Sequence, residues 1–264
     1  MPPGARIQDF IIGGVLGRGG HAAVYRAHRA ARPELVVALK VLDENHRGPV
    51  ELERLRREFA FARQLDHPHV VTVYECGRHW LAMELLSGGS VADAPSLRVR
   101  LTALEQIADA LDYAHRSGVV HCDVKPSNIL LSADFDRFGA KLIDFGIARS
   151  ADAEPAARTT HLAGTLPYAA PELLRGDPPT PASDEYALAC TLVEVLTGTP
   201  PFRSTNAMAL VDAHLHADPP RISRHIVWIP HAVDSILAKA MAKDPGQRYG
   251  SCARLVALIS RAVR

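Results

Sequence analysis

The stretch WLAMELLSGGSV, residues 80–91, separates two kinds of sequence pattern. On its N-terminal side, from Phe10 to about Leu86, the chain breaks into short β-rich pieces: IIGGVL, AAVYRAH, LVVALKVL, VVTVYEC and HWLAMELL. A charged helix near 50–65 interrupts them once. On its C-terminal side helical periodicity takes over, at roughly 98–116, 183–197, 206–216, 232–242 and 251–262, with little strand signal between. Ser87-Gly88-Gly89-Ser90 then reads as a hinge. The expected fold is α+β and bilobal: a small β-rich lobe over about 7–86 with one helix, a hinge at about 84–90, and a larger, mainly α-helical lobe over about 91–264. A cleft between two such lobes is the default place for a ligand.

The bulk numbers allow this and exclude little else. The chain has 264 residues, 47% of them hydrophobic, enough for one large domain or two small lobes without staples. A net charge of +1 with 22% charged residues argues against a nucleic-acid surface or an acidic tail. The four cysteines, at 76, 122, 190 and 252, are scattered without zinc-ligand spacing, which fits reduced thiols in a cytoplasm. No uncharged apolar run approaches the roughly 18 residues of a membrane span, so no membrane contact by this segment is expected. Dimerisation is left open by the sequence.

Three local patterns carry chemistry. VLGRGGHAAVYRA places Gly17 and Gly19 at a turn followed by a second strand, which excludes the dinucleotide fingerprint, where a helix must follow. Alone it reads first as a plain hairpin turn. In VVALKVLD, strand alternation puts Ala38, Lys40 and Leu42 on one face, so an ammonium shares a surface with aliphatic carbons. Such a lysine either snorkels out at a sheet edge or meets a counter-charge. The helix ELERLRREFAFARQL offers one, because Leu55, Glu58, Ala62 and Leu65 form one stripe.

The third pattern is HCDVKPSN, residues 121–128, set between the apolar segments Val119-Val120 and Ile129-Leu130-Leu131 and followed by the strand-like Lys141-Leu142-Ile143-Asp144-Phe145-Gly146. Asp144 and Asn128 offer hard oxygen ligands suited to magnesium. Asp123 would then be free to hold a hydroxyl and Lys125 to neutralise a phosphoryl oxygen. Read by itself, D-x-K-x-x-N is as well explained by a polar turn.

Taken in order, these residues resemble the protein kinase family, specifically its eukaryotic-like (Hanks-type) bacterial serine/threonine branch. The likeness extends through Ala170-Pro171-Glu172, Asp184 in SDEYALAC, Gly198-Thr199-Pro200-Pro201-Phe202 and Asp244-Pro245-Gly246-Gln247-Arg248, nearly the whole chain. The resemblance implies a catalytic domain that transfers the γ-phosphoryl group of ATP, with magnesium or manganese, to serine and threonine hydroxyls of protein substrates, its own activation segment included. Gly17, Gly19 and Val24 would cover ATP, Lys40 would hold its α- and β-phosphates, and Glu58 would fix the lysine. Leu16, Ala38, Leu130 and Ile143 would wall the adenine, with Met83 as gatekeeper and Glu84 to Leu86 as hinge backbone. Asn128 and Asp144 would bind the metal, Asp123 would accept the hydroxyl proton and Lys125 would sit on the γ-phosphate. Glu172 would pair with Arg248 as architecture. Lys125 and Thr165 place the acceptor with serine and threonine rather than tyrosine. The alternative, a nucleotide-binding pseudokinase or scaffold, usually lacks one of these residues.

The main departure is Cys122, where the family usually has an arginine that grips a phosphate on the activation segment, here Asp144 to Glu172 with Thr159 and Thr160 as candidate acceptors. A thiol cannot replace a bidentate cation, so weak dependence on that phosphorylation is expected unless another base, such as Arg149, takes the phosphate. Ala22 stands where a third glycine often lies. Val91 to Arg98 is short for the helix that normally follows the hinge, and SADFDRFGAK is somewhat long.

Overall fold

The computed structural model describes residues 1–150 and 165–263. Thr159 and Thr160 lie outside the described residues. The N-terminal part is a six-stranded antiparallel sheet formed by β1 (Arg6–Ile7), β2 (Phe10–Arg18), β3 (Ala22–Arg29), β4 (Arg32–Leu42), β5 (Val73–Cys76) and β6 (Trp80–Met83), in the order β1-β2-β3-β4-β6-β5. Helix α1 (Pro49–Gln64) crosses it, with Pro49 in the first turn, where its missing N–H costs nothing.

The period-two pattern of β4 decides which face meets what. Val37, Leu39 and Val41 join Phe10, Ile12, Tyr25 and Trp80 in a small outer core. Ala38 and Leu42 point the other way and join Leu55 and Ala62 of α1, Leu81 and Met83 in a larger core that continues into the helical part. Lys40 lies on that inner face, as the alternation predicts.

The C-terminal part is built on α2 (Leu97–Arg116), α3 (Phe135–Phe138), α4 (Pro171–Arg175), α5 (Pro181–Thr197), α6 (Ala207–His216), α7 (His231–Ala240) and α8 (Cys252–Val263). Helix α5 is buried nearly all round, so it is the central element, and its start is fixed by a reciprocal Thr180–Ser183 capping box. The long helices predicted from periodicity form within two residues of the expected bounds. Four short strands complete this part: β9 (Ala140–Leu142), which overlaps the strand expected before Asp144, and β7 (Val119–Val120), β8 (Ile129–Leu131) and β10 (Arg149–Ser150), which were not anticipated; they pair as β7–β10 and β8–β9. Two or three residues give no periodic signal, and β7–β10 closes across a long gap in sequence. The segment after the hinge is a single 3₁₀ turn, Val91–Asp93, and SADFDRFGAK holds α3, capped by Asp134.

Two long-range polar contacts lock the helical part. Arg248 meets Glu172 bidentately at 2.7 and 2.8 Å, as the sequence led us to expect, and Ser183 Oγ donates to the same carboxylate at 2.8 Å. Burial alone would raise the Glu172 carboxyl, but the Arg248 hydrogen bonds and charge hold it below its usual value. Asp112 of α2 caps α8, accepting from Ser251 Oγ at 2.7 Å, Cys252 N at 2.9 Å and Ala253 N at 3.2 Å. Helix N-termini without such a partner leave their first N–H groups unpaired. Asp112→Ala is therefore expected to lower unfolding stability by about 1–2 kcal/mol in urea titrations, with activity per folded molecule unchanged.

Candidate active site

The β8–β9 hairpin sets the floor of the site. Ile129 pairs with Leu142, and Ile143 N donates to the Asn128 carbonyl at 2.9 Å, so Asn128 and Asp144 emerge side by side from the same end. This floor is tied to the sheet, since Leu142 exchanges backbone hydrogen bonds with His69 (2.8 Å) and Val71 (3.0 Å) ahead of β5. Asp144 adopts a left-handed backbone with φ 66°, and Cys122, one residue before Asp123, does the same with φ 65°. Outside glycine such values are uncommon and persist only where surrounding structure imposes them.

For Cys122 the imposing group is Asp184. This buried α5 carboxylate accepts from the backbone N–H of His121 and of Cys122, each at 2.8 Å, and its Oδ2 also meets His115 Nε2 at 2.8 Å. Burial would raise the Asp184 carboxyl, yet His115 and the two amides hold it below its usual value. His121 in turn receives Asp123 N at 3.2 Å, meets the Ile143 carbonyl at 3.1 Å and packs edge-on against Phe145 at 4.7 Å. The sequence quoted Asp184 and His121 only as pattern members. Their work is carried by contacts spanning 22 to 69 residues, which no local signal announces.

Asp123 is the centre of a dense donor set. Lys125 Nζ lies 2.7 and 2.9 Å from its two oxygens, Asn128 Nδ2 donates to its carboxylate and its carbonyl at 2.9 Å each, and the Thr165 hydroxyl donates at 2.7 Å. Asn128 thus uses its amide hydrogens on Asp123, leaving the amide oxygen as an acceptor. Ser90 Oγ donates to the Pro126 carbonyl at 2.8 Å, anchoring the post-hinge turn to this loop.

Above the floor, Lys40 meets both oxygens of Glu58 at 2.7 and 2.9 Å and Asp144 Oδ1 at 3.1 Å. Of the readings open for Lys40, the snorkelling one is excluded, because its side chain is 17% exposed and that of Glu58 5%. Burial pulls the Lys40 ammonium down, but Asp144 and Glu58 together hold it above its usual value. Burial pushes the Glu58 carboxyl up to about 7 against the opposing pull of Lys40. Asp144, with a side chain 37% exposed, is held below its usual value: burial is outweighed by Lys40 and the Gly146 N–H. Two carboxylates share one ammonium, and the more buried one takes the higher pKa. A Cβ on Gly146 would meet Asp144 Oδ1 at 3.0 Å, so a side chain there would press on this acid cluster.

The remaining expected residues lie on the neighbouring elements. Val24 registers against Gly17 on one side and Lys40 on the other, and Ala38 against Met83. Leu130 bridges to Ser90, and Ile143 packs partly buried on the main core. Gly17 lies in β2 rather than in the turn, beside a register shift between Val15 and Gly17 that leaves Leu16 unpaired and 49% exposed. Gly19 N donates to the Ala22 carbonyl at 2.8 Å and closes the turn. Neither glycine has a positive φ or a crowded Cβ position, so the backbone does not demand them; their smallness leaves open space over the cleft. The Glu84 N–H donates to Thr72, and its carboxylate pairs with Lys141 at 2.9 Å. Leu86 is half-buried beside it.

An ordered set of lysine, paired glutamate, loop aspartate, loop asparagine and post-strand aspartate around one cleft is a known arrangement for phosphoryl transfer. A family model described as protein kinase domain matches residues 10–257. The chain belongs to the protein kinase family. This kinase domain is 39% identical over 263 residues to serine/threonine-protein kinase PknH of Mycobacterium bovis, covering 96% of the chain and 44% of that relative. It is 38% identical over 265 residues to serine/threonine-protein kinase PknJ of the same organism, covering 95% and 45%. Against serine/threonine-protein kinase PknD of Mycobacterium tuberculosis the identity is 39% over 265 residues, covering 96% and 39%. The kinase domain therefore spans less than half the length of these curated relatives. Among the described residues, no helix is long and apolar enough to cross a membrane.

Proposed function

We propose that this kinase domain transfers the γ-phosphoryl group of ATP to serine and threonine hydroxyls of proteins. The observation that carries the reading is the Thr165 hydroxyl donating to Asp123 at 2.7 Å while Lys125 holds the same carboxylate. It is a hydroxyl of the acceptor's own chemical type, bonded to the group expected to take the proton. Asp123 would orient the attacking hydroxyl and receive its proton, and Lys125 would offset charge on the transferring group. Lys40, fixed by Glu58, would hold the α- and β-phosphates under the end of β2 and the Gly19 turn, with Gly17 and Val24 above.

The adenine would sit between Leu16, Val24 and Ala38 from the sheet and Leu130 and Ile143 from the floor, with Met83 at the rear. The Glu84 carbonyl and the Leu86 N–H, which make no backbone hydrogen bond among the described residues, are the acceptor and donor it would meet. The Asp144 carboxylate and the Asn128 amide oxygen, hard donors at the same end of one hairpin, fit magnesium, or manganese in its place. Such an ion would neutralise phosphate charge when bound with ATP. The test is transfer of label from γ-labelled ATP to casein, followed by phosphoamino-acid analysis. Phosphoserine and phosphothreonine are expected; nucleotide-induced stabilisation without transfer would favour the pseudokinase or scaffold reading instead.

Autophosphorylation at Thr159 and Thr160 is part of the proposal, and the catalytic loop makes activity weakly dependent on it. Burial, with Asp184 adding to it, pushes the Cys122 thiol well above its usual value, so a neutral thiol stands where a cation would be needed. Changing Thr159 and Thr160 together to Ala is expected to leave initial rates within about threefold of wild type. Abolished activity in a folded variant would refute this.

A further inference from the structure

The motif Gly198–Phe202 and helix α6 meet around a buried histidine for which the phosphoryl-transfer site has no use. His214 has no exposed surface. Its Nδ1 lies 2.9 Å from the Tyr186 hydroxyl on α5, and the Phe202 ring stands edge-on at 4.9 Å. Lys243 Nζ donates to the His214 carbonyl at 2.8 Å and lies 5.2 Å over the Phe202 ring, while Arg248, bound to Glu172, lies 5.0 Å over Tyr186. The backbone carbonyls of Leu166 and Pro167 also lie near the imidazole. These belong to the 3₁₀ turn Leu166–Tyr168, which begins directly after the threonine bonded to Asp123 and is held at its other end by Tyr168 donating to Glu194.

Nε2 of His214 makes no well-formed hydrogen bond among the described residues, although the Leu166 and Pro167 carbonyls are near. Leaving a buried polar atom unmatched costs about 1–3 kcal/mol, and a phenylalanine would fill this space without that cost. Burial, with Lys243 adding to it, pushes the imidazole down to about 4, so the ring is neutral near pH 7. In the tautomer in which the Tyr186 hydroxyl donates to Nδ1, the single ring hydrogen sits on Nε2.

We propose that His214 is a positioning residue for the protein acceptor: its Nε2–H seats the Leu166–Tyr168 turn, and through Thr165 the Asp123 carboxylate, when an acceptor peptide binds. This rests on the kinase reading above. It assigns to α6 a part in acceptor affinity and none in ATP binding, since none of the residues around His214 lines the nucleotide cleft.

The test uses the amide geometry of two substitutions in the 264-residue chain. His214→Asn keeps a polar atom near the Nδ1 position and serves Tyr186, whereas His214→Gln places one near Nε2 and serves the turn. With casein as acceptor, His214→Asn is expected to raise the acceptor KM about tenfold with the ATP KM within about twofold, and His214→Gln to recover most of the loss. Tyr186→Phe, which keeps the imidazole but removes the tautomer choice, is expected to raise the acceptor KM about threefold and serves if either first variant fails to fold. Equal behaviour of Asn and Gln, an unchanged acceptor KM, or ATP and acceptor constants worsening together in step with lost thermal stability would overturn the inference. A wild-type chain that transfers no phosphate to casein would instead sink the kinase reading and this inference with it.

Discussion

Asp123→Asn is expected to reduce transfer of phosphate to protein by about 10²–10⁴-fold while the fold and nucleotide binding persist. The carboxylate takes hydrogen bonds from Lys125, Asn128 and Thr165, and its side chain is 10% exposed. An amide of the same shape offers one acceptor oxygen and one donor nitrogen. With the amide nitrogen at the Oδ1 position the Thr165 hydroxyl loses its acceptor, and with it at the Oδ2 position Asn128 does; Lys125 keeps one oxygen either way, but no negative group remains to take the proton of the attacking hydroxyl. The groups expected to hold ATP, Lys40, Glu58 and Asp144, lie on other elements and keep their contacts. Stabilisation by ATP with magnesium in a thermal melt should therefore match wild type, while the labelled-phosphate rate falls. A rate within about threefold of wild type would remove Asp123 from the chemistry.

Much of this arrangement could be read from the sequence because the relevant side chains sit on periodic elements. Lys40 is one of three alternate residues on the inner face of β4, and Glu58 falls on the buried stripe of α1 between Leu55 and Ala62. Their meeting at 2.7 Å follows from two periods, 2.0 and 3.6, that a reader can count. The sharing of Lys40 with Asp144 could not be counted, since it depends on how the β8–β9 hairpin seats beneath the sheet. Nor could the left-handed backbone at Cys122, a residue type that does not announce a positive φ and whose N–H is held by Asp184, 62 residues along the chain. His214 shows the same limit: on α6 it reads as one more core position, and only the packed structure shows that its second nitrogen is left over.

Removing the ammonium is the other large change. Lys40→Met retains the aliphatic stem against the inner face of the sheet, but strips Glu58 and Asp144 of the one cation they share. Phosphates entering the cleft would then meet the Asp144 carboxylate with no ammonium to hold them, and kcat/KM for ATP is expected to fall by at least about 10²-fold. A second signature separates this cause from a damaged fold. The Glu58 carboxyl lies at about 7 in the folded chain against an ordinary 4.5, so its contribution to stability is fully present below about pH 4.5 and is lost as pH rises through about 7. In wild type Lys40 opposes that rise, and deleting it lets burial and Asp144 push Glu58 higher still. The variant at neutral pH should hold Glu58 as a neutral acid, and its melting temperature should drop more steeply than that of wild type between about pH 5.5 and 8.5. Parallel melting profiles for the two proteins would mean that the lysine and glutamate are not coupled in the way their contacts indicate, and that the loss of activity had another origin.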